Sequence, residues 1–193
     1  MNKILLCGVG GQGTILAAHI LADVALRSET QVKVSEIHGM AQRGGAVSTM
    51  VTLGSDVKSM VIGQGEADIV VAFEELEALR NLSALKQGGS LIVNEEVIKP
   101  ASVLTGKAHI PAHTTEVLQD ADALLVPAEA TAREAGSSKA ANVVLLGALS
   151  AFLSFSEDAW LASVRSHVPP KTIDINCAAF QAGRQFACEH ARR

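Results

Sequence analysis

Residues 3–25 read "KILLCGVGGQGTILAAHILADVA": an apolar run, a glycine turn, then a stretch with helical spacing. Gly8, Gly10 and Gly13 fall on a Gly-x-Gly-x-x-Gly pattern where a strand hands over to a helix, the context that a dinucleotide fingerprint requires. Without a Cβ such a turn lets backbone N–H groups approach a pyrophosphate at the helix N-terminus. The same glycines equally serve a tight turn with close helix–strand packing. The spacing predicts a helix over about residues 12–27, with Ile15, Leu16, His19, Ile20 and Val24 along one side. Arg27 then suits the negative end of the helix dipole.

Outward from this unit, apolar runs bounded by turn residues alternate with helix-period segments, the pattern of a parallel sheet covered by helices. Strands are expected near 3–7, 31–36, 68–73, 90–94 and 123–126. The alternation in "AVSTMVTLG" predicts an additional strand, for which an antiparallel orientation is open, preceded by a glycine-rich loop. In "EELEALRNLSALKQGG" the leucines follow three-residue steps (Leu76, Leu79, Leu82, Leu85), acidic residues fill the first turn, and Gly88 after Lys86 is the expected helix stop. Beyond residue 95 short extended pieces and short helices alternate. Residues 139–153 are apolar nearly all round and should form a helix covered on most sides. Ser156 is the expected N-cap of the next helix. Pro169-Pro170 then breaks the chain ahead of a helix over 174–190 that turns Ala179, Ala182 and Phe186 inward. The fold class is α/β, a Rossmann-like open sheet, mainly parallel, with a helical C-terminal third. Residues 1–193 are expected to form one domain, with a core over about 1–136 and the helical part over about 137–193.

Composition narrows the function classes. Sixteen basic residues against 20 acidic ones give a net charge of −4, with no run of like charges, which argues against a nucleic-acid surface or a polybasic membrane anchor. Five Phe, one Trp and no Tyr leave little for base-stacking platforms. The amino-terminal apolar run is too short for a signal sequence, and "AANVVLLGALSAFL" is too short to cross a bilayer, so a cytoplasmic location is expected. Cys7, Cys177 and Cys188 show no Cys-x-x-Cys spacing, supporting neither a zinc site, a disulfide framework nor a local iron–sulfur motif. Three buried thiols are expected instead. No metal ligand set is assigned.

Most of the remaining chemistry sits in "HGMAQRGGAV", His38 to Val47. Arg43 offers a planar fork, and Gly44-Gly45 can expose backbone N–H groups, so the loop could hold a phosphate or a carboxylate. The competing reading is a structural loop in which Arg43 pairs with Glu36 or a backbone carbonyl. Glu36 also stands where an acidic residue could bind a ribose hydroxyl, which leaves a free-standing NAD(P)-binding oxidoreductase as an alternative. His38 reads as an ordinary hydrogen-bonded loop histidine. Asn142 and Asn176 should cap or cross-link backbone in the helical third. Met40, Met50 and Met60 are candidates for a partner surface, or for core gap-filling.

"GVGGQG" together with "HGMAQRGGAV", "ADIVVAFEELEAL", "GGSLIVN", "KAANVVLLGAL" and "KTIDINCAAFQAG" resembles the gamma-type module of 2-oxoacid:ferredoxin oxidoreductases over essentially the whole chain. The lead-in Gly39-Met40-Ala41-Gln42 resembles the separately encoded subunits of the indolepyruvate branch. The resemblance implies a part in the oxidative decarboxylation of a 2-oxoacid such as an aryl pyruvate to its acyl-CoA, with thiamine diphosphate, Mg and iron–sulfur clusters. This chain has no cysteine set for a cluster and no Gly-Asp-Gly segment for a thiamine-bound magnesium. The resemblance therefore implies a large cofactor-carrying subunit as partner, with ferredoxin served through that complex and coenzyme A as co-substrate. No catalytic residue is assigned to this chain. Gly10, Gly11, Gln12 and Gly13 with Arg43, Gly44 and Gly45 are expected around one crevice, for a coenzyme A phosphate or a partner contact.

Overall fold

The computed structural model describes residues 1–39 and 45–191. The strand–turn–helix unit forms as β1 (Asn2–Val9) and α1 (Thr14–Arg27), followed by β2 (Gln31–His38) and β3 (Ala46–Gly54). Next come β4 (Ala67–Ala72), α2 (Glu75–Asn81), β5 (Leu85–Asn94), α3 (Ala101–Leu104), α4 (Thr114–Asp120), β6 (Leu124–Val126) and α5 (Ala128–Glu134). The helical third contains α6 (Ala141–Ser150), α7 (Glu157–His167) and α8 (Ile173–His190).

The strands form one sheet in the order β2-β3-β1-β4-β5-β6. β1, β4, β5 and β6 run parallel, whereas β3 is antiparallel to both its neighbours, β1 and β2. "AVSTMVTLG" is thus the antiparallel strand that its alternation suggested, and it wedges between β1 and β2. β1 reads as a continuous apolar run because it is buried on both faces. Ile4 and Leu6 face the layer of α1, α6, α7 and α8, with Val71, Ile92, Trp160 and Phe180. Leu5 and Cys7 face the opposite layer, with Val70, Val93, Ala78 of α2 and Leu118 of α4.

Several expectations shift. The buried face of α1 is carried by Ala17, Ala18, Ile20, Leu21, Val24 and Ala25, while Ile15 and His19 point outward. Ile20 and Val24 are buried as expected and Leu16 packs half-buried against the core, while small alanines fill the rest of the inner face. The expected long helix ends at Asn81; Leu82–Ala84 form a 3-10 turn, and Leu85 already pairs in β5 opposite Ala67 of β4. Gly88 therefore lies inside a strand, because sheet pairing overrides the leucine periodicity. In α8, Ala179, Phe180, Gly183 and Ala187 are buried, while Ala182 and Phe186 are half-buried and the Phe186 ring stacks on His190 with centroids 4.3 Å apart. Of the thiols, Cys7 is buried, Cys177 half-buried and Cys188 exposed. Met50 is half-buried and accepts a hydrogen bond at Sδ from Ile62 N–H (3.3 Å), Met60 is exposed, and Met40 lies outside the described residues. Ser156 does cap α7, accepting from Ala159 N–H at 3.3 Å. Among the described residues no helix is long and apolar enough to cross a membrane.

Candidate functional site

The glycine turn is held by its own short-range bonds and by two distant strands. Gly10 N–H donates to the Gly45 carbonyl at 2.8 Å, tying the turn to the start of β3. Gln12 folds back: its Oε1 accepts from Val9 N–H (2.9 Å) and its Nε2 donates to the Phe73 carbonyl (2.8 Å) at the end of β4. Asn94, at the end of β5, donates to the same carbonyl at 3.2 Å and accepts from Ala128 N–H at 3.2 Å. The chain leaves β1 toward β2 on one side and continues through β4 and β5 on the other, so β1/β4 is the topological switch point where open α/β sheets offer a crevice. Here the Gln12 amide fills that point, and open space lies on either side of it.

On the β3 side a crevice of about 440 Å³ is lined by Gly10, Gly11, Gly13, Thr14 and Ile15, facing His38, Gly39 and Val47. Gly11 (φ +106°) and Gly13 (φ +82°) adopt backbone angles that glycine tolerates best, and nothing lies within 4 Å of where a Gly11 Cβ would stand. Gly13 is the N-cap of α1 and offers no side-chain cap, so the first-turn N–H groups at Thr14 and Ile15 have no partner within the helix and favour negative charge. The volume falls in the range of small-molecule sites, roughly 300–1,000 Å³.

On the β4/β5 side a smaller, polar recess of about 160 Å³ lies among Gly11, Gln12, Asn94, Glu96, Lys139 and Asn142. Burial pushes the Glu96 carboxyl up, the negative charge of Glu129 adds to this, and hydrogen bonds from Asn94 and Gln12 oppose it. Deeper in, Glu74 caps α2, accepting from the N–H groups of Leu76, Glu77 and Ile98. Burial still raises its carboxyl above the ordinary range, ahead of those donors. Asn142 presses its side chain against the turn: a Cβ on Gly13 would lie 2.4 Å from Nδ2. Its Oδ1 accepts from Val143 N–H (3.0 Å), and Asn176 donates to the Thr172 carbonyl (2.8 Å), so both asparagines bond backbone as expected.

Gly10, Gly11, Gln12, Gly13 and Gly45 are therefore brought together, whereas Arg43 and Gly44 lie outside the described residues. Gln12 departs from its expected place: its amide stitches β1 to β4 and lines the small recess rather than the large crevice. Glu36 is not at the turn. With β3 between β2 and β1, it stands two strand spacings away, about 10 Å, and its carboxylate lies 3.7 Å from His19 Nε2. His38, expected as a loop histidine, is instead the last residue of β2, where it borders the crevice. Lys139 and Glu96 are far from the turn in sequence and carried no signal for it.

Among the described residues no group of three or more His, Cys, Asp or Glu is placed to hold a metal ion. Burial pushes the Cys7 thiol up, with the charges of Glu77 and Glu74 adding to it, which disfavours the thiolate that metal ligation needs. The described residues thus fit an anionic organic group at the α1 N-terminus better than a metal or a cluster.

A family model described as pyruvate ferredoxin/flavodoxin oxidoreductase matches residues 3–186. The chain belongs to this family. It is similar to the indolepyruvate oxidoreductase subunit IorB of Thermococcus kodakarensis, 40% identical over 194 residues that cover 97% of this chain and 96% of that protein. Among solved structures it is similar to the gamma subunit of a keto/oxoacid ferredoxin oxidoreductase from Geobacter sulfurreducens (TM-score 0.73, 29% identity, 98% of this chain and 99% of that one). It also shares its fold with the 2-oxoglutarate:ferredoxin oxidoreductase of Magnetococcus marinus (TM-score 0.71, 21% identity), covering 100% of this chain but 32% of that one. The same fold thus occurs both in a separate gamma subunit and as part of a longer chain. Family membership supports the reading as an oxidoreductase subunit and not the free-standing NAD(P) enzyme, in accord with the displaced Glu36.

Proposed function

We propose that the chain is the small subunit of a cytoplasmic 2-oxoacid:ferredoxin oxidoreductase acting on indolepyruvate or related aryl pyruvates. The observation that carries this reading is the end-to-end match to the indolepyruvate oxidoreductase subunit of Thermococcus kodakarensis. The large subunit holds thiamine diphosphate, Mg and the iron–sulfur clusters, passes electrons to ferredoxin, and supplies the decarboxylation chemistry. Neither nucleic acid nor membrane is a partner. The chain acts as a single domain over residues 1–193, its sheet-bearing core over about 1–136 and its helical part over about 137–193.

The chain's own residues bind and orient coenzyme A. First-turn N–H groups of α1 at Thr14 and Ile15, with Gly10, Gly11 and Gly13 leaving the backbone bare, receive phosphate oxygens. Val47 and the Ile15 side chain give the crevice an apolar wall. Gln12 holds the turn rigid by bonding β1 to β4, and Arg43 with Gly44 and Gly45 completes the anion contact.

Co-expression with the large subunit, followed by ferredoxin reduction assays across pyruvate, 2-oxoglutarate, branched-chain and aryl pyruvates, tests the proposal. The expected result is an inactive isolated chain and an assembly that prefers aryl pyruvates. Arg43→Ala should raise the KM for coenzyme A in that assembly. Saturable NADH binding or hydride transfer by the chain alone would overturn the reading.

A further inference from the structure

The sheet has two unequal edges. β6 is a short edge of three residues, whereas β2 exposes eight. Proteins usually blunt a long free edge with proline, a bulge, a guarding charge or a covering element. β2 contains no proline and pairs with β3 without a register break from Gln31 to His38. Its one lysine does not guard the edge, since Lys33 Nζ reaches the Lys58 carbonyl at 3.2 Å. Ile37 is 56% exposed. Gly39 N–H bonds the Ala46 carbonyl, which sets the alternation of the ladder. The N–H and C=O groups of Val32, Val34, Glu36 and His38 consequently point to the free side, and among the described residues no backbone group meets them.

A second copy of the chain is a poor occupant because of the side chains it would set face to face. Two copies of β2 related by a two-fold axis place residues of equal parity opposite each other, because facing side chains share one side of the sheet. Lys33 and Glu36 differ in parity, so they never face each other. A pairing centred on Val34 sets Val32 against Glu36, and one centred on Ser35 sets Lys33 against Ile37. Centring on Lys33 or Glu36 sets like charges together, which is destabilising. The edge calls for a different strand.

We propose that β2 is completed by a β-strand of the large cofactor-carrying subunit, which adds to its free edge and extends the sheet across the subunit interface. The proposal rests on the subunit reading above. The added strand carries an apolar side chain against Ile37 and a carboxylate against Lys33, on the same face. Backbone bonds to Val32, Val34, Glu36 and His38 supply affinity, and these facing side chains supply specificity.

Residue-resolved hydrogen–deuterium exchange, on the chain alone and on its complex with the co-expressed large subunit, reads the edge directly. In the free chain the amides of Val32, Val34, Glu36 and His38 exchange fast while those of Lys33, Ser35 and Ile37 are protected by β3. In the complex all seven slow. Val34→Pro removes one outward N–H from an edge position where proline is tolerated, so the free chain keeps its far-ultraviolet circular dichroism and buried Trp160 emission. Its affinity for the large subunit should fall about tenfold or more, the equivalent of losing one well-made ladder contact. Wild-type assembly by Val34→Pro, unprotected outward amides in the complex, or a self-dimer that protects them would each overturn the proposal. Failure of the wild-type chain to bind the large subunit would instead overturn the subunit reading.

Discussion

Glycines in α6 and α8 and glycines in the turn after β1 look alike in sequence but are held against different things. At the crossing of α6 and α8, a Cβ on Gly147 would lie 2.0 Å from the Phe180 carbonyl oxygen, and one on Gly183 would lie 2.0 Å from the Val144 carbonyl oxygen. Each glycine admits the backbone of the other helix, and neither contact can be relieved by moving a flexible side chain. At the turn, Gly11 meets nothing within 4 Å and is required only by its backbone angle. The helical layer uses glycine to bring backbones together, whereas Gly11 leaves its surface open between Gly8 and Gly13, which are packed against side chains. The first is a requirement of stability; the second, on the proposed function, is one of binding.

Gly183→Ala should separate these roles most sharply. Overpacking costs roughly 1–3 kcal/mol, and more when backbone must move, so the variant should lose about 3 kcal/mol or more. The single tryptophan, Trp160, is fully buried with its ring 5.6 Å from that of Phe180, so its emission in urea titration reports this loss. A variant as stable as wild type would mean that the close crossing is not what holds the layer.

Gln12→Ala comes next. It removes both bonds of the amide that joins Val9 to Phe73, at an expected cost of about 1–2 kcal/mol by the same titration, and it should weaken coenzyme A dependence by loosening the turn. Gly11→Ala sharpens the contrast further, since its cost of roughly 1 kcal/mol comes from backbone angle alone. Its larger effect should be a severalfold rise in the KM for coenzyme A in the assembled enzyme. Equal stability losses in Gly11→Ala and Gly183→Ala would erase the distinction between the two regions.

The smallest expected effect lies where α7 meets α1. Burial works against the Asp23 carboxylate, but hydrogen bonds from Ser163 and Arg27, with the positive charges of Arg27 and His167, outweigh it and hold the group below its ordinary 3.8. A depressed carboxylate contributes stability that is present above the unfolded value and is lost as pH falls through the folded one. Thermal melts should therefore show wild type above Asp23→Asn at about pH 6, with the gap closing toward about pH 3. A gap that persists in acid would assign the effect to packing instead of charge.

Much of the fold was legible because it is written in short windows. The apolar run, glycine turn and helix of residues 3–25, the alternation of "AVSTMVTLG" and the Ser156 cap each depend on neighbours a few positions away. What was not legible depended on partners far along the chain. The leucine steps from Leu76 to Leu85 favour helix locally, yet pairing with β4 takes Leu85 into a strand. In α8 the expected Ala179 is buried and Phe186 packs half-buried against the core, but the close crossing with α6 at Gly147 adds Phe180 and Gly183 to the inner face, which local spacing did not show. In the candidate site the glycines were visible in sequence, whereas the role of Gln12 was not, because its partner Phe73 stands 61 positions away.

The sequence by itself determined an α/β chain with a glycine turn at a helix N-terminus, since steric freedom and hydrophobic periodicity act over a few residues. Only the tertiary structure decided that β3 enters between β1 and β2. That one placement moves Glu36 away from the turn and leaves the long free edge on β2, because strand order is set by pairings across the chain that no local pattern encodes.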